Sequence, residues 1–240
     1  MKTQLKPTIP NRARPAFTLV EMLVVIAIIS ILMTLGSIGL SSIGGKGVAG
    51  SVSTAEALFD EARNTAVGRG QPAAVLVAKT LNNNRADDLR RIVVAYKEKA
   101  DDDFWILGSR GALLAEKTFF SEKFSKQDHP NGSAIEVIES SALRRIAGTN
   151  ANPTTVGQAY EGKWLIYQFN GQGICTTPGA SFIIGSGARP LTKSSEEAPP
   201  RTTASAKRDF GGFVIWRNGR TSVFRSPGQM GVGTQSGDTF

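Results

Sequence analysis

The chain has 240 residues, 40% of them hydrophobic, which provides for a membrane segment and one ordinary soluble domain but hardly for two. Lys and Arg number 28 against 20 Asp and Glu, a formal +8; Lys2, Lys6, Arg12 and Arg14 are the only charged residues before Phe17, so a chain cut there keeps a modest +4. Cys175 and His129 are each the only residue of their type, which excludes an intramolecular disulfide and the four-thiolate and two-Cys, two-His zinc sites.

No charged residue occurs from Met22 to Gly45. At about 1.5 Å per residue a helix over this run spans roughly 36 Å, enough to cross a hydrocarbon core of about 30 Å. The basic leader places the N-terminus inside and the body outside the cytoplasm, by the positive-inside bias. A secretory signal peptide has an apolar region of only about 7–15 residues, shorter than this one. A plain single-pass anchor accounts for length, leader charge and orientation, but not for Glu21. A lone carboxylate at the mouth of an apolar helix costs on the order of 3 kcal/mol, and no Lys, Arg or His lies between Phe17 and Gly45 to meet it. Cleavage after Ala16 supplies the missing cation, because Phe17 then carries a free ammonium that can face Glu21 of a neighbouring copy.

Arg14-Pro15-Ala16-Phe17-Thr18-Leu19-Val20-Glu21, followed by Met22-Leu23-Val24-Val25-Ile26-Ala27-Ile28-Ile29, closely resembles the processing motif of type IV prepilins and type II secretion pseudopilins. The resemblance implies that a prepilin peptidase removes residues 1–16 and N-methylates Phe17, while Glu21 sets subunit register. It implies as partners other pilin or pseudopilin subunits, an inner-membrane assembly platform and the lipid bilayer. The family usually has Gly before the cut, where this chain has Ala16. Within the apolar run Ser30, Thr34, Gly36, Ser37 and Gly39 allow close helix packing.

The Gly-rich stretch Ser41–Gly50 predicts a loosened or broken helix, and Ser53-Thr54-Ala55-Glu56 fits a capping box from which a helix resumes. Ala55, Leu58, Phe59, Ala62 and Ala66 then share one face, and Gly68 or Gly70 ends it. The sequence from Leu58 through Gly70 and on to Val77 is similar to the H-type minor pseudopilins and their FimT-like pilus relatives.

Six runs read as strands: Ala73–Lys79, Ile92–Lys97, Phe104–Leu107, Ala134–Ile138, Lys163–Phe169 and Ser181–Ile184. His129, before Pro130-Asn131-Gly132, reads as an exposed loop residue, and Cys175, in a short strand, as a buried structural thiol. Residues 185–208 form an irregular loop, as do Pro227–Phe240. Between them Gly212–Arg217 and Arg220–Arg225 flank Asn218-Gly219, which predicts a hairpin with a type I′ turn.

No GK[ST] loop, HExxH, GxSxG or paired-cysteine motif occurs, and one histidine restricts acid–base designs, so catalysis, cofactors and metals are not expected. Asp87-Asp88 and Asp101-Asp102-Asp103 read as solvated loops. Arg85, Arg90, Arg91, Arg144, Arg145, Arg201, Lys207 and Arg208 offer a basic patch without interleaved aromatics, and nucleic acid is not the expected partner. The expected fold is α+β and pilin-like. A leader (1–16) precedes a membrane-spanning assembly helix (17–45), an amphipathic continuation (46–70) and an antiparallel β-rich head (71–240). The expected role is a pseudopilus subunit for type II secretion, in the inner membrane before assembly. A type IV pilus subunit and a non-polymerising anchored domain are the alternatives.

Overall fold

The computed structural model describes residues 20, 22–26, 28–29, 47–146, 152–189, 200, 209–224 and 227–230. Residues up to Gly45 and those from Lys46 onward form two separate compact units.

The second unit begins with helix α1 (Gly47–Arg69), which buries Val48, Val52, Ala55, Phe59, Ala62 and Ala66 along one stripe. The expected start near Ser53 and the capping box there are overturned. Gly47–Gly50 are already helical, and the Thr54 hydroxyl donates back to the Gly50 carbonyl at 2.9 Å, as an interior residue does. Packing outweighs the low propensity of these glycines, because Val48 and Val52 seat against Gly211, where an added Cβ would meet them at 3.0 and 3.1 Å. Of the break expected over Ser41–Gly50, residues 41–46 lie outside the described residues. The helix does end at Gly70, whose φ of 63° closes a Schellman motif: Gly70 N–H reaches Val67 O and Gln71 N–H reaches Ala66 O.

Two sheets follow. The larger runs in the order β6 (Val137–Glu139), β9 (Gly162–Phe169), β1 (Ala73–Leu81), β2 (Arg91–Tyr96), β3 (Trp105–Leu107), β7 (Leu143–Arg145) and β8 (Thr154–Thr155), with β4 (Ala112–Leu113) also on β2. All its pairings are antiparallel except β3 with β7. The smaller sheet is β12 (Thr221–Val223), β11 (Phe210–Ile215), β10 (Ala180–Ser186) and β5 (Thr118–Phe120), antiparallel throughout. The expected antiparallel β-rich head is therefore present.

Helix α1 packs against both sheets, and the alternation of each strand decides what meets it. Ala73, Val75 and Val77 of β1, Ile92 and Val94 of β2, and Leu165, Tyr167 and Phe169 of β9 join the helix in one core with Phe182 and Phe213 of the smaller sheet. Phe59 is its hub: Tyr167, Phe169, Phe182 and Phe213 all meet it edge-on, with centroids 5.1–6.2 Å away. The opposite face of the larger sheet is also covered. Ala74, Leu76, Val93, Ala95 and Trp164 bury against Leu143 and Val156 in a second core. Burial on both faces explains why β1 reads as an unbroken apolar run rather than an alternating one.

The strand expected over Ala134–Ile138 shifts to Val137–Glu139, because Ala134 instead bridges Lys126 across the turn at Asp128–Gly132, and Ile135 enters the core. The final hairpin forms, but its type I′ turn does not. Only Gly219 has positive φ, at 73°, and the bonds Gly219 N–H to Trp216 O and Trp216 N–H to Arg220 O close a three-residue loop. The extra residue slips the register by one, so Val223 faces Phe213 and Phe224 turns to the other side of the sheet.

Candidate functional site

Residues 20, 22–26, 28 and 29 are helical, and all eight are large apolar side chains between 45% and 69% exposed. At about 100° per residue their directions cover the whole circumference. Leaving eight such side chains in water forgoes on the order of 10 kcal/mol of transfer free energy. A surface of this kind is built for lipid or for other helices. Among the described residues no helix is long and apolar enough to cross a membrane, since most of the run that the sequence marks as spanning is outside them. Lys2, Lys6, Arg12, Arg14, Ala16, Phe17 and Glu21 also lie outside the described residues.

In the head, three of the eight residues of the anticipated basic patch come together at the end where α1 begins. Ser51 Oγ accepts from Ala115 N–H at 3.1 Å and sits 2.9 Å from Thr118 Oγ1. The adjoining Leu114 carbonyl takes Arg90 Nη2 at 3.0 Å. Asp87 pairs with Arg91, and Arg189 donates to the carbonyls of Arg85 and Asp88 while its guanidinium lies 3.8 Å from the Asp88 carboxylate. Both aspartates are buried, which corrects their reading as a solvated loop. Burial raises the Asp88 carboxyl to about 6, further than the Leu81 N–H bond and the Arg189 charge lower it. Sequence reasoning missed Arg189, placed in the irregular loop, and the signal available was the dense run Asp87-Asp88-Leu89-Arg90-Arg91 between two strands.

The remaining candidates are dispersed. Arg144 and Arg145 are on β7, with Arg144 over the Phe104 ring, while Arg201, Lys207 and Arg208 lie outside the described residues. Asp101 and Asp103 are exposed, as expected. Cys175 is buried, and burial pushes its thiol up. His129 is not the exposed loop residue expected. It is half-buried beside Ser181 Oγ at 3.2 Å and Gln229 O at 2.6 Å, with its ring 4.9 Å from that of Phe224, the side chain that the hairpin slip delivers there. Met230, expected in an irregular tail, packs into the core beyond it.

No curated protein and no solved structure matches the chain. Residues 11–37 match the family model of the prokaryotic N-terminal methylation motif, a span that holds Ala16, Phe17 and Glu21. That motif implies processing by a prepilin peptidase and assembly with other pilin subunits, and it supports a type IV pilin-like protein.

Proposed function

We propose that the protein is a non-enzymatic subunit of a periplasmic pseudopilus for type II protein secretion. The observation that carries the reading is the methylation motif at residues 11–37, within which residues 20, 22–26, 28 and 29 are helical with apolar side chains exposed all round. The apolar helix stores the precursor in the inner membrane with the head outside. Cleavage between Ala16 and Phe17 creates the Phe17 ammonium, which is methylated and pairs with Glu21 of an adjacent subunit as the helices bundle. Among neutral side chains that ammonium and carboxylate are each other's only charged partners in the run to Gly45, so pairing relieves the desolvation cost of both. The secretion assignment rests on the similarity of the Leu58–Val77 stretch to H-type minor pseudopilins. A minor subunit of a type IV pilus for adhesion, motility or DNA uptake shares every other feature.

The test is Glu21→Val in the native host, followed by fractionation of membranes and sheared filaments. The variant is expected to reach the membrane and be absent from filaments. Incorporation at the wild-type level would refute the pairing mechanism.

A further inference from the structure

We propose that the groove between the second half of α1 and strands β2 and β3 binds an extended segment of another protein that carries a cation and a carboxylate four residues apart. The inference concerns the head alone and stands apart from the processing of the N-terminus. The groove encloses about 440 Å³. Ligand sites of about 300–1,000 Å³ set a few polar groups against an apolar lining, and this groove has both. Val94 and Tyr96 of β2, with Leu107 and Ile146, form the apolar side, and α1 supplies the polar one.

Glu61, Thr65 and Arg69 line the helical wall at intervals of four residues, which places them about 6 Å apart along the axis. Alternate side chains of an extended chain point the same way and repeat at about 6.6 Å. A strand laid along α1 therefore sets one residue against each of the three. The side chains of Glu61 and Thr65 have no hydrogen-bond or ion-pair partner among the described residues. The Arg69 guanidinium lies over the Tyr96 ring, 3.7 Å from its centre, and among the described residues no carboxylate meets it. Glu61 thus selects Lys or Arg, Thr65 a short polar side chain and Arg69 Asp or Glu. The two intervening residues point away from the helix and suit the apolar lining from the sheet.

The test titrates the full chain, in detergent micelles, into two end-capped fluorescent peptides, Lys-Leu-Ser-Val-Glu and Glu-Leu-Ser-Val-Glu, with binding read by anisotropy against empty micelles. The wild type is expected to prefer the first peptide about fivefold, and Glu61→Lys, at an exposed position, to reverse that preference. Gly68→Leu is expected to bind neither peptide, because a Cβ at Gly68 meets nothing within 4 Å and the longer side chain fills the groove. The reversal separates a binding role for Glu61 from a structural one, since a misfolded variant gains no new preference. No binding by the wild type, equal affinity for the two peptides, or undiminished binding by Gly68→Leu would overturn the inference. Self-association of the chain that the first peptide displaces would assign the groove to a second copy and overturn it as well.

Discussion

Phe59 ties the helix to both sheets, and its truncation measures how much of the head depends on that joint. The side chain is fully buried and meets four aromatic rings edge-on, two from the larger sheet and two from the smaller. Phe→Ala in a packed core costs about 3–5 kcal/mol, and the four ring contacts place Phe59→Ala at about 4–5 kcal/mol. Domains of this size have about 5–15 kcal/mol in total, so about a quarter or more of the stability is at stake. With an m-value of about 2–3 kcal/mol per molar urea, the midpoint should fall by about 1.5–2 M. Phe59→Leu, which retains most of the volume, should cost about 1–2 kcal/mol. Unfolding can be followed by the fluorescence of Trp105 and Trp164, both buried in the second core. A drop below about 0.5 M for Phe59→Ala would show that the helix is dispensable to the sheets and refute the reasoning.

Two glycines should respond in opposite directions, both read by urea midpoints. At Gly219, φ is 73° and a Cβ would fall 2.5 Å from Gly173 O and 2.6 Å from Arg63 Cδ, so Gly219→Ala should cost about 2 kcal/mol or more. At Gly68, helical and with nothing within 4 Å, Gly68→Ala should stabilise by about 0.5–1 kcal/mol. The buried Asp88 carboxyl, raised from 3.8 to about 6, binds its proton more tightly in the folded state. Its contribution to stability is fully present below the unfolded value and is lost as pH rises through about 6. The unfolding free energy of the wild type minus that of Asp88→Asn should therefore rise by on the order of 2 kcal/mol from pH 7 to pH 4, and a flat difference would contradict the assignment.

The helix, the long strands and the hairpin were legible because each follows from local chemistry. The apolar spacing from Ala55 to Ala66, the unbroken β1 run and the Asn218-Gly219 pair are signals contained within a few residues. What was not legible depends on distant partners. That Gly47–Gly50 are already helical is supported by Gly211, some 160 residues later in the chain, which lets Val48 and Val52 seat closely. Asp88 reads as a surface acid because its partner Arg189 is 101 residues away. The hairpin turn was assigned from its dipeptide alone, whereas the three-residue loop delivers Phe224 to His129, and neither residue reveals that need in sequence. The assembly site is the reverse case: the cleavage point, the new amine and Glu21 all fall within one short segment, so the sequence carries nearly all of its logic.

Mass spectrometry of the N-terminal peptide, from protein recovered from its native envelope, tests the central claim most directly. The account predicts a chain that begins at Phe17 with one methyl group on its amine. A chain that still begins at Met1, its basic leader in place, would leave Glu21 without its cation and contradict the account.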